Sequence, residues 1–408
     1  MRIFNKIEQL VRLDLTYFIS GGFWFLAGQA GSLGLAFVNS LIFARYLPPE
    51  VYGTYRYLTS LIMLISLFSL TGLGTSLSQA VAMGKIGTLR IAFKSQLRWS
   101  LLLSAVGLGF CLYALLHNNF PYFFVFGIIA ITGPLYLSFG LYDSFLSGQG
   151  RFREGAIYSL VINTACSLLL LISSFFGQLF LFLFPFQYVI QLLFNFVFYR
   201  RVSKKIPENA PDDKNAVGYG KYLSGINILA AVADQADNVI LFILAGPTNL
   251  AVYSFAIAIP EVIKGLIKTI TPLSFPKLAK TESHIFRNSL PIRFAQIFGG
   301  TLAIIVIYIL AAPFIFNIFF PAYQNAVIYS QLYAFSLLMT PFYLFDAFFK
   351  AKKMLRQIFF TYTISPFIQI LYMAVFTYFW GLSGLIIARI TGRITHLILS
   401  LFLVRQNS

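Results

Sequence analysis

Three ionisable residues stand together in an otherwise apolar stretch of the chain: Glu261, Lys264 and Lys268, flanked by Pro260 and Pro272. On a helix advancing about 100° per residue they fall within roughly 60° of arc, on one face. Two ammonium groups on one face suit a phosphate or diphosphate, as point charges rather than forks. Glu261 is placed to pair with Lys264 one turn on. The two prolines would kink the helix around the group. The plainer alternative is that Lys268 reaches back along its stem toward water near Pro276 and Lys277.

Other polar residues fall inside apolar stretches. Ser224, Asn227, Asp234 and Asn238 form one stripe, with Asp237 at its flank, and Gln29, Ser32 and Asn39 form a matching stripe early in the chain. Stripes of this kind line a wet cavity or hydrogen-bond neighbouring helices together. Asp234 and Asp237 are candidates to bind a proton or a sodium ion, or to pair with a basic residue. Asp143 and Asp346 each precede basic residues, Arg151 and Arg153 in one case, Lys350 and Lys353 in the other. That arrangement predicts a salt bridge at each place, and such a bridge can act as a gate. Arg45 and Arg56 bracket a short turn and are candidates to touch an anionic ligand. The alternative there is a surface pair with Glu50, worth little. Arg389 and Arg393 lie one turn apart; whether they face a cavity or the surface stays open.

Elements that hold such charges must be membrane helices. Of the 408 residues, 58% are hydrophobic and 11% charged, against about 25% charged in soluble domains. A chain so poor in charge cannot cover itself in water, so most of its surface faces lipid. The apolar segments do not alternate with polar residues as barrel strands would. The prediction is an all-α polytopic protein with twelve spans, near 20–44, 54–80, 99–116, 121–147, 156–176, 178–199, 220–244, 250–275, 294–317, 324–349, 357–379 and 381–404. An amphipathic surface helix is predicted over residues 1–16. The formal net charge of +17 follows from basic residues between spans rather than from a nucleic-acid surface. They cluster on one side, for example Lys85 and Arg90, Arg200 to Lys205, and Lys277 to Arg293, so both termini are expected in the cytoplasm.

The longest hydrophilic run, from Arg200 to Lys221, divides the chain into an N-terminal bundle (1–199), a linker (200–220) and a C-terminal bundle (221–408). A shift of 198 residues lays Gln29, Asn39, Pro49 and Tyr55 on Asn227, Asp237, Pro247 and Tyr253. A shift of 203 lays Asp143 and Phe145 on Asp346 and Phe348. The expectation is therefore two parallel six-helix bundles around a central cavity. No phosphate-binding glycine loop, nucleophile motif or Cys/His metal spacing is present in the sequence, so neither an enzyme nor a cofactor is expected. A monomer is the default.

Asn39 to Tyr55 reads NSLIFARYLPPEVYGTY, and the next apolar segment closes on Gly72-Leu73-Gly74. This resembles the opening of polysaccharide flippases of the Wzx type, in the superfamily that also holds the multidrug exporters and the lipid II flippases. The resemblance implies a protein of the bacterial cytoplasmic (inner) membrane. It would carry an undecaprenyl-diphosphate-linked oligosaccharide from the inner to the outer leaflet by alternating access, driven by H+ or Na+ and serving glycan polymerase machinery. A multidrug antiporter for small cations is the alternative, and would favour a more acidic site.

Overall fold

The computed structural model describes residues 15–280, 283–340, 345, 346, 348, 349 and 354–406. Within them, side chains are described except at 15–23, 25, 26, 266–291, 293, 294, 355, 358, 405 and 406. The expected surface helix at 1–16 thus lies almost wholly outside the described residues, as do Lys350 and Lys353 and the side chain of Lys268.

The described chain is helical from end to end. The helices are α1 (Leu15–Tyr46), α2 (Pro49–Ser66, then Leu73–Ala82), α3 (Thr88–Leu116), α4 (Phe120–Phe139, continued by Leu141–Gly148), α5 (Phe152–Ser174) and α6 (Phe186–Ser203). Next come α7 (214–245) and α8 (247–280), separated at Gly246, then α9 (Ser283–Phe319) and α10 (Ala326–Ala334 with the tighter turn Phe335–Met339). The last two, α11 (355–380) and α12 (382–406), are separated at Gly381. Among the described residues eight stretches are long and apolar enough to cross a membrane, or nine counting the bent pair in α2. Two of the eight, Lys214–Gly265 with 52 residues and Phe359–Val404 with 46, are each about twice the length one bilayer crossing needs. Each is broken by a glycine, so each supplies two passes. The described helices fall in the order of the expected segments; α10 is shorter, and part of its expected span lies outside the described residues. The chain is a multi-pass membrane protein.

The chain forms two compact units, Met1–Tyr46 with Ile65–Gly225, and Leu47–Leu64 with Ile226–Ser408. The first unit is cored by Leu73, Leu77, Leu141, Tyr142, Phe145 and Phe198, all buried. Tyr158 stacks flat on Phe198, ring centroids 4.0 Å apart. The hydrophilic run expected as a linker is folded onto this unit. Arg90 donates to the carbonyls of Ile206, Pro207 and Glu208, and Gly87 N–H donates to the Pro211 carbonyl at 2.8 Å. Asp213 N–H donates to the Thr88 hydroxyl, and Ile206 is buried in the unit's core.

The second unit takes in the first part of α2, which the sequence division places in the other half. The sequence Pro49-Glu50-Val51-Tyr52-Gly53-Thr54-Tyr55 explains why. Tyr52 stacks on Phe255 with centroids 4.6 Å apart, Tyr57 on Phe242 at 3.9 Å. Arg56 Nε donates to the Ser254 hydroxyl at 3.3 Å, and Ser60 accepts from Asn238 Nδ2 at 2.8 Å. The approach is closest at Gly53, where an added Cβ would stand 1.9 Å from the carbonyl oxygen of Pro247. That carbonyl is presented by the break at Gly246, whose φ of 84° is a conformation glycine adopts without cost. At Pro260 the helix keeps helical dihedrals; Gly246 is the residue that leaves them.

Gly53→Ala therefore forces backbone apart inside a packed unit, at about 1–3 kcal/mol. A clear fall in the thermal midpoint of the purified protein in detergent is expected. Gly34→Ala, which meets nothing within 4 Å on α1, is expected to leave the midpoint unchanged or raise it slightly.

Candidate functional site

A buried charged network occupies the second unit, built from side chains of four helices. Helix α12 brings Arg389 and Arg393 to one face, four residues apart. Both are 8% exposed, and a guanidinium cannot be buried that deeply without a carboxylate partner. Helix α7 supplies Asp237, 1% exposed. Its Oδ2 accepts from Arg389 Nε at 3.1 Å, and also from Arg389 Nη2. The same oxygen accepts from the Tyr253 hydroxyl at 2.7 Å, while Oδ1 accepts from the Asn238 N–H at 2.8 Å. Helix α8 supplies Glu261, which meets Arg393 Nη2 through Oε1 at 2.6 Å. Helix α10 completes the group with Tyr333 and Ser336. The Tyr333 hydroxyl donates to Glu261 Oε1 at 2.5 Å and accepts from Arg393 Nη2 at 2.8 Å. Arg393 Nη1 bonds the Ser336 hydroxyl.

The two ion pairs are joined. Tyr253 and Tyr333 meet edge to face with centroids 6.5 Å apart, and the guanidinium of Arg393 lies 5.1 Å from the centre of the Tyr333 ring. The expected pairing of Glu261 with Lys264 is present, through Oε2. Lys264 is the outermost cation of the group, its side chain 24% exposed. Three cations thus share two carboxylates, and Glu261 is divided between Arg393 and Lys264. Lys264 is the cation least compensated and most reachable by an external anion.

The remaining predicted residues fall elsewhere. Lys268 lies one turn on in α8, its side chain outside the described residues. Asp234 is exposed on α7 and makes no hydrogen bond or ion pair among the described residues, whereas Asp237, three residues on, is the buried one. Asn227 is exposed. In the first unit Gln29 is exposed, Asn39 accepts from the Ser167 hydroxyl at 2.7 Å, and Ser32 accepts from Asn163 Nδ2 at 2.8 Å. Arg45 is exposed at the end of α1. Arg56 bonds Ser254 rather than Glu50. The salt bridge expected at Asp143 is not formed. Arg151 pairs instead with Glu154, one turn along its own helix, and Arg153 lies over the ring of Trp24, 5.1 Å from its centre. The nearby acid wins because closing a local pair orders little chain. Asp346 accepts from the Tyr362 hydroxyl at 2.9 Å. The sequence reading missed Tyr253, Tyr333 and Ser336. The signal was available in part, since buried arginines need more acceptors than two carboxylates supply.

Asp237→Asn leaves Arg389 buried without a counter-charge and is expected to lower stability by about 3–5 kcal/mol. The double variant Asp237→Asn with Arg389→Gln is expected to recover most of it. Thermal unfolding of the purified variants in detergent measures both.

Comparison with known proteins comes to the following. By sequence, no curated protein matches the chain. By structure, a MATE transporter solved in complex with MaD5 superposes with a TM-score of 0.68 at 12% identity, covering 98% of this chain and 97% of that one. The lipid II flippase MurJ in an inward closed conformation gives 0.63 at 15% identity, covering 93% and 87%. A MOP superfamily transporter from Pyrococcus furiosus gives 0.58 at 13% identity, covering 96% and 95%. At these identities the likeness is one of fold. A family profile described as "Polysaccharide biosynthesis protein" matches residues 18–282, well over half of the chain, and the protein belongs to that family.

Proposed function

We propose that the protein is a flippase for lipid-linked oligosaccharides. It moves undecaprenyl-diphosphate-linked repeat units from the inner to the outer leaflet of the bacterial cytoplasmic membrane by alternating access. The observation that carries this reading is the charged network of the second unit, with its excess cation at Lys264. A diphosphate headgroup brings negative charge into a low-dielectric setting and needs a fixed positive partner there. Arg389 and Arg393 are committed to Asp237 and Glu261, so they hold the site in shape. Lys264 has donors to spare beyond Glu261 and meets the phosphate as a point charge. Lys268, one turn on, is proposed as its neighbour in this role.

Ion coupling, by H+ or Na+, is assigned to Asp234. Asp237 is buried and committed to Arg389 and Tyr253, whereas Asp234 is exposed. Arg45, exposed in the last turn of α1, is proposed to meet the headgroup as it leaves. The products would serve glycan polymerase machinery. A drug antiporter of the multidrug type is the second reading, favoured by the likeness of fold. An excess of positive charge at the network argues against it, since cationic substrates would be repelled.

Complementation of a strain lacking its own repeat-unit flippase, with glycan read on the cell surface, tests the proposal. Wild-type protein is expected to restore display. Lys264→Ala at matched membrane abundance is expected to reduce it at least tenfold, and Lys264→Arg to retain part of it. Efflux of cationic dyes by the same cells without any glycan display would decide for the antiporter.

A further inference from the structure

The first unit contains a second polar site, whose larger cavity has no cation among the described residues that line it. A cavity of about 460 Å³ lies among α2 to α6, lined in part by Gln96, Tyr136, Asp143, Ser159, Asn163 and Asn195. Among the described residues that line it there is no lysine or arginine, and Asp143 is the one carboxylate. Gln96, on α3, is 6% exposed, and its Oε1 is buried with no hydrogen-bond partner. A buried acceptor left so is unfavourable in the empty protein, and a donor from a ligand would relieve it.

The other amides are oriented to match. Asn163 Nδ2 is used by Ser32 at 2.8 Å and Asn195 Nδ2 by the Tyr136 carbonyl at 3.0 Å. Each amide therefore spends a donor on the protein and keeps its carbonyl oxygen. Ser159 and Asn163 sit one turn apart on α5, as Gln191 and Asn195 do on α6, all four in the wall. Asp143 and Ser159 also line a smaller adjoining cavity of about 100 Å³ with Gln29, Ser32 and Arg151, so the polar stripe of α1 continues into this chamber. The wall is rich in acceptors, and the rings of Tyr136 and Tyr142 supply apolar surface.

Such a wall fits a molecule with many hydroxyl donors and patches of C–H surface. Size decides between a sugar and a bare ion. The larger cavity holds the volume of about fifteen waters, which an ion with its ligands would leave mostly unfilled, and it lies in the usual range for small-molecule sites. A phosphate is disfavoured by Asp143 and by the lack of a cation among the described residues of the larger cavity; Arg151, which lines the smaller one, is paired with Glu154. We infer that this chamber of the first unit binds an uncharged sugar ring, through hydrogen bonds from its hydroxyls to Gln96, Asn163, Asn195 and Asp143. The inference rests on the flippase reading for its biological role: the sugar would be part of the glycan that the protein carries.

The test uses the purified full-length protein with two kinds of probe. Glucose, galactose, rhamnose and N-acetylglucosamine are titrated singly from millimolar concentration upward, with the thermal midpoint as readout; undecaprenyl diphosphate without sugar is titrated in parallel. At least one sugar is expected to raise the midpoint of the wild-type protein. Gln96→Leu, which removes a buried unpartnered acceptor and so is expected to fold, should weaken that sugar about tenfold, the worth of one such hydrogen bond. Ser159→Leu, which fills the chamber from another helix, should abolish the response. Neither variant should alter the response to the bare lipid, and Lys264→Ala should alter only that. A sugar response that survives both chamber variants, or no response to any of the four sugars, overturns the inference. So does a response to sodium or lithium lost in Gln96→Leu and Asp143→Asn without a sugar response. Failure of the wild-type protein to bind the bare lipid would count against the flippase reading alone, leaving the sugar result to stand or fall by itself.

Discussion

Two guanidinium groups buried one turn apart on α12 constrain most of the second unit. A buried cation without a counter-charge is several kcal/mol unfavourable, so Asp237 and Glu261 must arrive at Arg389 and Arg393 together. That requirement fixes α7 and α8 against α12, and the tyrosines from α8 and α10 fill the remaining acceptor and donor positions. Ion pairs of this kind add little net stability over a well-packed apolar core, but they penalise wrong registers severely. A shift of either helix by one residue would strand a charge. The network is thus both the frame of the unit and the setting of Lys264, which shares Glu261 with Arg393.

The two units differ in the chemistry of their interiors. The second holds charges in close pairs. The first relies on hydroxyls and amides, such as Ser167 with Asn39 and Asn163 with Ser32, and its cavity carries a single carboxylate. Neutral polar groups can be buried at modest cost when each finds a partner. This is why a chamber can persist within the first bundle while the second is filled by ion pairs.

Much of this was legible in the sequence. Long apolar runs separated by short turns set the order of helices, because a bilayer demands about twenty residues per pass. The grouping of Glu261 with Lys264 follows from helical spacing alone. Other features depend on three-dimensional packing. Nothing in the local sequence distinguishes Asp237 from Asp234, three residues away, as the one that meets Arg389; that depends on the rotation of α7 against a helix some 150 residues later. The assignment of Leu47–Leu64 to the second unit turns on Gly53 admitting the Pro247 carbonyl, a contact across nearly two hundred residues. Ser159, Asn163, Gln191 and Asn195 were not singled out in the sequence; only the fold brings them to one chamber.

The hydrophilic run after α6 has a consequence for anyone who would engineer the protein. It reads as a tether, yet it has no slack. Arg90 grips three successive carbonyls of it and Ile206 anchors it in the core of the first unit. The division between the units falls later, after Gly225, inside α7. A tag, cleavage site or fusion partner inserted between Lys204 and Asp213 would not lengthen a spacer. It would pry open the packing around α3.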